Sequence, residues 1–154
     1  MAKKARPFTT REEKVGSAVI KVMSSLNTWV YRVSGGRIGG RFWGGAPVLL
    51  LTTTGRKSGH PRTAPLLYLE DGDTYVVVAS KGGMSHNPLW FENLLANPRV
   101  EVEVGNRTMA MQARRASADE RARLWPRLVK MYPQYDDYQA RTERSIPVVI
   151  LAPA

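Results

Sequence analysis

Residues 48–80 read VLLLTTTGRKSGHPRTAPLLYLEDGDTYVVVAS. The opening run, Val48–Thr54, is apolar and β-branched without polar alternation, the composition of a strand buried on both faces. A loop with two glycines and three cations follows. From Arg62 to Glu70 the pattern alternates and then meets Asp71-Gly72, a hairpin signal, before a second strand over Thr74–Ser80.

The same short-range β pattern continues downstream. Arg99–Val104 alternates strictly, Gly105-Asn106 turns it, and Arg107–Ala116 returns. Ile146–Pro153 closes the chain as a last strand. Two helices interrupt these strands. One is announced by Asn87 followed by Pro88 at the first helical position, and stops at Asn97-Pro98. The other opens with a capping box, Ser117 to Glu120, and is expected to bend or break at Pro126 and again around Pro133. About six short strands with few helices predict a mainly β chain, a small split β-barrel rather than a doubly wound sheet.

Upstream, Val15, Val19, Val22, Leu26, Trp29 and Val33 recur at steps of three and four, which predicts an amphipathic helix over residues 12–34. Its stripe suits core packing, a partner face or a membrane surface. A glycine-rich stop follows, and residues 1–11 read as a flexible basic tail. Residues 12–154 are expected to form one domain, since 154 residues at 43% hydrophobic content bury one sizeable core.

Charge sharpens this picture. The net charge is +10, yet residues 1–62 hold 12 basic and 2 acidic side chains while residues 63–154 hold 11 of each. No acid lies between Glu13 and Glu70. Such a field attracts a polyanion: nucleic acid, an anionic membrane or a multiply charged cofactor. Cysteine is absent, which removes disulfides and thiolate metal sites. His60 and His86 have no partner at ligand spacing, so no metal is expected. No apolar run approaches the roughly 20 residues that span a bilayer, and the N-terminus lacks a signal-peptide core, which suits the cytoplasm.

Three constellations carry chemistry. The stretch Thr52–Arg62 assembles two glycines, three cationic side chains and several hydroxyls at a strand end, the parts of a phosphate cradle. Arg56 stands where a Walker loop needs glycine, so that motif is excluded. At a second strand end, Ala79, Ser80, Lys81 and Gly82 lead through Asn87 into the helix bearing Trp90 and Asn93, whose N-terminal amides favour an anion. Tyr132, Tyr135 and Tyr138, three apart, share one broad helical face suited to a flat ligand or to core packing. Acid–base and nucleophilic groups are few, so the chemistry is expected from a cofactor.

Taken together, LLTTTGRKSGHPRTAPL, VVVASKGG, NPLWFENLLANPRVEVEVG, the three tyrosines and RTERSIPVVILAP resemble the deazaflavin-dependent nitroreductase family, over roughly residues 48–153. The resemblance implies a split β-barrel like that of FMN-binding oxidoreductases, and coenzyme F420 with its polyanionic phosphate and glutamate tail. It implies that Thr54, Gly55, Arg56, Lys57, Ser58 and Arg62 hold that tail, and that Ala79, Ser80, Lys81, Gly82, Asn87, Trp90 and Asn93 line the rest of the coenzyme site. Ser80, Tyr132, Tyr135 and Tyr138 match positions around the acceptor, a quinone or nitro compound that receives a hydride. It also implies an opening segment that covers the pocket or meets an anionic membrane. The alternatives are an FMN-dependent enzyme of the same fold and a basic nucleic-acid-binding module, against which stands the placement of the cations in glycine loops.

Overall fold

The computed structural model describes residues 6–36 and 45–154; the side chains of residues 20–25 and 27 are outside that description. Residues 1–5 of the expected tail over 1–11, residues 37–44 of the glycine-rich stop that begins at Ser34, and the Val22 side chain therefore fall beyond the described residues. The strands are β1 Val48–Thr54, β2 Pro61–Leu67, β3 Leu69–Asp71, β4 Thr74–Val78, β5 Arg99–Val104, β6 Arg107–Arg115 and β7 Val148–Pro153. The helices are α1 Thr10–Val33, α2 Leu89–Ala96, α3 Ala118–Met131 and α4 Gln134–Arg141.

The strands form one antiparallel sheet in the order β2-β1-β5-β6-β7-β4-β3. β2 and β3 stand at opposite ends of that order, yet only Tyr68 separates them in the chain. The sheet therefore curls until its edges nearly meet, the half-barrel of a split barrel. Tyr68 is the break that turns the expected six strands into seven: its N–H donates to the Pro47 carbonyl at 3.1 Å, and its ring is buried. Pro61 and Pro65 sit in β2, an edge strand, where a missing N–H costs no ladder bond on the open side.

Burial explains the unalternating runs. Leu49, Leu51, Val77, Val102, Val149 and Leu151 fill the barrel interior around Phe91 and Leu94 of α2. On the opposite face of β4 and β7, Val76, Val78, Val148 and Ile150 pack against Leu124 and Leu128 of α3 and Tyr135 of α4. Val48 and Leu50 of β1 lie under Tyr31 of α1. Each such side chain, fully buried, contributes about 1.5–3 kcal/mol.

Two helical expectations need correction. α3 continues unbroken past the exposed Pro126 and ends at Met131, so the break falls only before Pro133. Leu124 and Leu128, both fully buried, hold the turn on either side and offset the hydrogen bond that proline removes. α1 starts at Thr10, two residues early, because Thr9 and Glu12 form a capping box. Its apolar stripe is not buried among the described residues: Val15, Val19, Leu26, Trp29 and Val33 are 56–69% exposed. The opposite side docks instead. Tyr31 is buried and its hydroxyl accepts from the Gly105 N–H at 2.7 Å, while Arg32 pairs with Glu103 at 2.8 Å. Periodicity identifies an amphipathic face but not the side on which a neighbour lies.

Candidate functional site

Topology sets the place. Four antiparallel steps lead from β1 through β5, β6 and β7 to β4, so β1 and β4 run the same way and their C-terminal ends share one rim. The loops after Thr54 and after Val78 thus lie at the same end of the barrel.

The first loop is narrow and cationic. The Gly55 N–H donates to the His60 carbonyl and the Gly59 N–H to the Gly55 carbonyl, both at 2.8 Å. A Cβ on Gly55 would stand 2.6 Å from Ser58 Oγ, which itself accepts from the His60 N–H at 3.2 Å. Asn93 of α2 is buried and binds the loop from behind: its Oδ1 accepts from the Arg56 N–H and its Nδ2 donates to Thr53 Oγ1, each at 3.1 Å. Arg56, Lys57 and Arg62 are exposed. Among the described residues none of the three is in an ion pair, whereas Arg32, Arg114, Arg123 and Arg127 each have a carboxylate. A cleft of about 400 Å³ beside this loop is lined by Thr52, Thr54, Gly59, Pro61, Arg99 and Glu101 among others. It reaches neither the second loop nor the tyrosines, and so does not contain the whole site.

The second loop is strained and braced. Ser80 is right-handed and Lys81, Gly82 and Gly83 follow with φ of 44°, 64° and 78°. Such a change of hand turns successive N–H groups to one concave side, a form that suits anions. Lys81 Nζ lies 2.8 Å from His86 Nε2. Burial pulls the Lys81 ammonium below its usual range; Glu13 opposes the shift and Arg144 adds to it. Glu13 of α1 accepts from the Ser85 N–H at 2.6 Å and from its hydroxyl at 2.9 Å, and the backbone contact above all holds this carboxyl below the ordinary carboxylate range. Ala79 is wholly buried in the barrel and offers a ligand no side-chain surface. Trp90 is half-buried, edge-on to Phe91.

The tyrosines do not share one helical face. Tyr132 caps the end of α3, while Tyr135 and Tyr138 belong to α4. Their rings nevertheless cluster, with centroids 5.0–6.3 Å apart, and the Tyr132 and Tyr138 hydroxyls lie 3.0 Å apart. Tyr135 is a core ring, 4% exposed. Its hydroxyl has no hydrogen-bond partner among the described residues, and no buried side-chain oxygen there is unsatisfied, so this hydroxyl reaches the surface. Burial pushes the Tyr135 and Tyr138 phenols well above their usual range. The cluster meets the second loop at Gly83, where an added Cβ would stand 2.5 Å from the Tyr138 carbonyl. Arg141 lies over Phe8 at 4.8 Å and toward Tyr138 at 6.0 Å, which brings Phe8 to this side of the cluster.

Arg144 escaped the sequence reading. It lies in the stretch RTERSIPVVILAP but is given no role there, and only the return of β7 to the same rim places it at the second loop. Its guanidinium donates to the carbonyls of Ala79, Ser80 and Met84 and to Asn87 Oδ1. Asn87, expected to cap α2, is engaged there instead, and Pro88 occupies the cap position with no side-chain bond.

A family model described as F420H(2)-dependent quinone reductase matches residues 23–153. The chain belongs to this family. An F420H(2)-dependent quinone reductase of Mycobacterium tuberculosis (strain H37Rv) is 43% identical over 143 residues, covering 91% of this chain and 93% of the relative. A solved F420-H2 dependent reductase is also 43% identical, with a TM-score of 0.64 over 68% of this chain and 93% of its own. A second solved structure, described as a domain-swapped dimer, is 34% identical with a TM-score of 0.66, over 92% of this chain and 99% of its own. Family membership makes the protein an F420-dependent reductase on a split-barrel fold, with F420 rather than FMN as its coenzyme. The relatives are quinone reductases, so the nitroreductase likeness is the looser one. No helix among the described residues is long and apolar enough to cross a membrane.

Proposed function

We propose that the protein reduces a quinone with F420H2 bound across the two loops, and that the three unpaired cations beside the strained second loop carry this assignment. The coenzyme tail, with its phosphate and carboxylates, fits a loop of exposed, uncompensated Arg56, Lys57 and Arg62, folded tightly on a Gly55 whose missing Cβ makes room for Ser58 Oγ. Thr54 and Ser58 add hydroxyls. Ser80, Lys81 and Gly82 supply amides and a cation to the middle of the coenzyme, and Asn87 and Trp90 border it. Asn93 and Ala79 act from behind, as supports. Reduced F420, when bound, supplies a hydride.

The residues around the acceptor then have one remaining task, to hold and protonate the oxygen that gains charge. The Tyr132 and Tyr138 phenols, 3.0 Å apart, are the hydroxyls assigned to that task. Burial above all keeps the Tyr138 phenol protonated at ordinary pH, as a hydrogen-bond donor must be. Ser80 stands at the same loop as a further hydroxyl. Water can restore the donated proton. Fluorescence titration with oxidised F420, set beside FMN, tests the assignment. Tighter F420 binding together with quinone reduction is expected, and equal or tighter FMN binding overturns it.

A second observation favours a place of action. The exposed α1 stripe lies in the part of the chain that holds the whole positive excess, a combination suited to an anionic lipid surface, with apolar side chains in the interface and cations at the headgroups. Cosedimentation with anionic vesicles, lost on Trp29→Ala and absent with neutral lipid, is the expected result. A concentration-dependent dimer without vesicle binding would instead assign the stripe to a second copy of the chain.

A further inference from the structure

Arg144 lies just ahead of β7, on the site's rim, with its backbone held by its neighbours. The Gln139 side chain donates to the Arg144 carbonyl at 2.8 Å and accepts from the Ile146 N–H at 2.9 Å. Arg121 binds Gln139 Oε1 at 2.9 Å and the Ile146 carbonyl at 3.1 Å. From this fixed base the half-buried guanidinium makes four bonds: Nε to the Met84 carbonyl at 2.9 Å, Nη1 to the Ala79 carbonyl at 3.2 Å and to Asn87 Oδ1 at 2.8 Å, and Nη2 to the Ser80 carbonyl at 2.8 Å. All four acceptors are neutral oxygens from one loop. Among the described residues Arg144 forms no ion pair.

The consequence follows from peptide geometry. In a trans peptide the C=O and the next N–H point in opposite directions, and no cis bond occurs among the described residues. Turning the carbonyls of Ala79, Ser80 and Met84 toward Arg144 therefore turns the N–H groups of Ser80, Lys81 and Ser85 away from it. The third already has its outward partner, the Glu13 carboxylate at 2.6 Å. The first two are directed by the same device, and a cation behind their carbonyls polarises them into stronger donors.

Resting on the proposed function, we infer that Arg144 is a positioning residue that presents the Ser80 and Lys81 amides to the coenzyme. Lysine cannot replace it, because an ammonium concentrates its three donors at one point whereas the guanidinium spreads its donors over a planar fork. Burial holds the guanidinium below its usual pKa range, and the Glu13 carboxylate, which forms no ion pair with it, opposes the shift only in part. That cost is accepted for orientation rather than for an ion pair.

The test compares Arg144→Lys with Ile150→Val, a mild change to the buried β7 core remote from the loop. F420 affinity of each full-length variant is read by fluorescence titration, and amide hydrogen exchange of residues 79–87 is read without coenzyme. Arg144→Lys is expected to weaken F420 binding by about tenfold or more, the order seen when a residue that orients a ligating group is lost. It should also speed exchange in the loop, with turnover at saturating F420 changed by less than about threefold. Ile150→Val should lower the melting temperature and leave affinity and loop exchange alone. Unchanged exchange in Arg144→Lys, or equal loss of affinity in both variants, overturns the positioning role. Failure of the unmodified protein to bind F420 overturns the proposed function and with it the ligand named here, a result separable from the exchange readout.

Discussion

The two loops at the rim follow the same strand-end plan, and the chain treats them differently. The first, residues 55–60, carries its charges outside, held by three internal hydrogen bonds and one asparagine from behind. The second, residues 79–87, is gripped from three sides: Arg144 takes its carbonyls, Glu13 of α1 takes Ser85, and the backbone of Tyr138 in α4 lies against Gly83. One loop supplies charge, which tolerates water and small displacements. The other supplies direction, which tolerates neither. Substitutions in the first should therefore cost affinity by degrees, and those in the second should cost structure.

The largest expected effect tests the bracing itself. Gly83→Ala sets a Cβ 2.5 Å from the Tyr138 carbonyl at a φ of 78°, and should lose at least about 2 kcal/mol in urea unfolding. Gly82→Ala, at a φ of 64° with open space around it, should lose only the left-handed strain of about 1 kcal/mol. Equal losses would mean that α4 does not brace the loop. Next in size, Tyr132→Phe or Tyr138→Phe should slow quinone reduction at saturating F420 by about tenfold, equivalent to about 1.4 kcal/mol. F420 affinity should hardly move. Tyr135→Phe removes no hydrogen bond among the described residues, so its stability should stay within about 0.5 kcal/mol of the parent; any kinetic effect there would show that its surface-reaching hydroxyl meets the acceptor.

Smaller effects belong to the first loop. Lys57→Ala should raise the F420 dissociation constant by about fivefold, or about 1 kcal/mol, with saturated turnover unchanged, and the difference should shrink as salt is added. A loss of turnover at unchanged affinity would place Lys57 at the reacting end instead. The gentlest test is pH. A carboxyl held low by folding stabilises the native contact above its ordinary pKa and releases it as pH falls, so the Glu13 tie to Ser85 should loosen as pH falls below about 4. Faster exchange of the Ser85 amide in acid, reproduced at neutral pH by Glu13→Gln, is the expected reading. The first loop has no such tie and should not respond.

Much of this was legible in the chain, because it depended on local chemistry. Continuous apolar runs at Val48–Thr54 and Val148–Pro153 mean strands covered on both faces wherever the covering comes from, and Asp71-Gly72 and Gly105-Asn106 turn the chain whatever surrounds them. Glycine, cations and missing acids at residues 54–62 likewise point to a candidate anion cradle, the reading that Lys57→Ala tests. Other features depended on what stands opposite. That α1 docks by Tyr31 and exposes its Val15–Val33 stripe, that Pro126 stays inside a helix nailed down by Leu124 and Leu128, and that Tyr68 splits one strand into two are outcomes of packing, which a residue's own propensity does not encode. Arg144 is the clearest case. Its stretch of chain belongs to the resemblance, but nothing there tells its role, since its four acceptors lie 57–65 positions away and are backbone or amide oxygens that every sequence contains. Local spacing determined which residues could bind an anion; the curl of the sheet alone decided which of them face the same rim and which cation turns their amides outward.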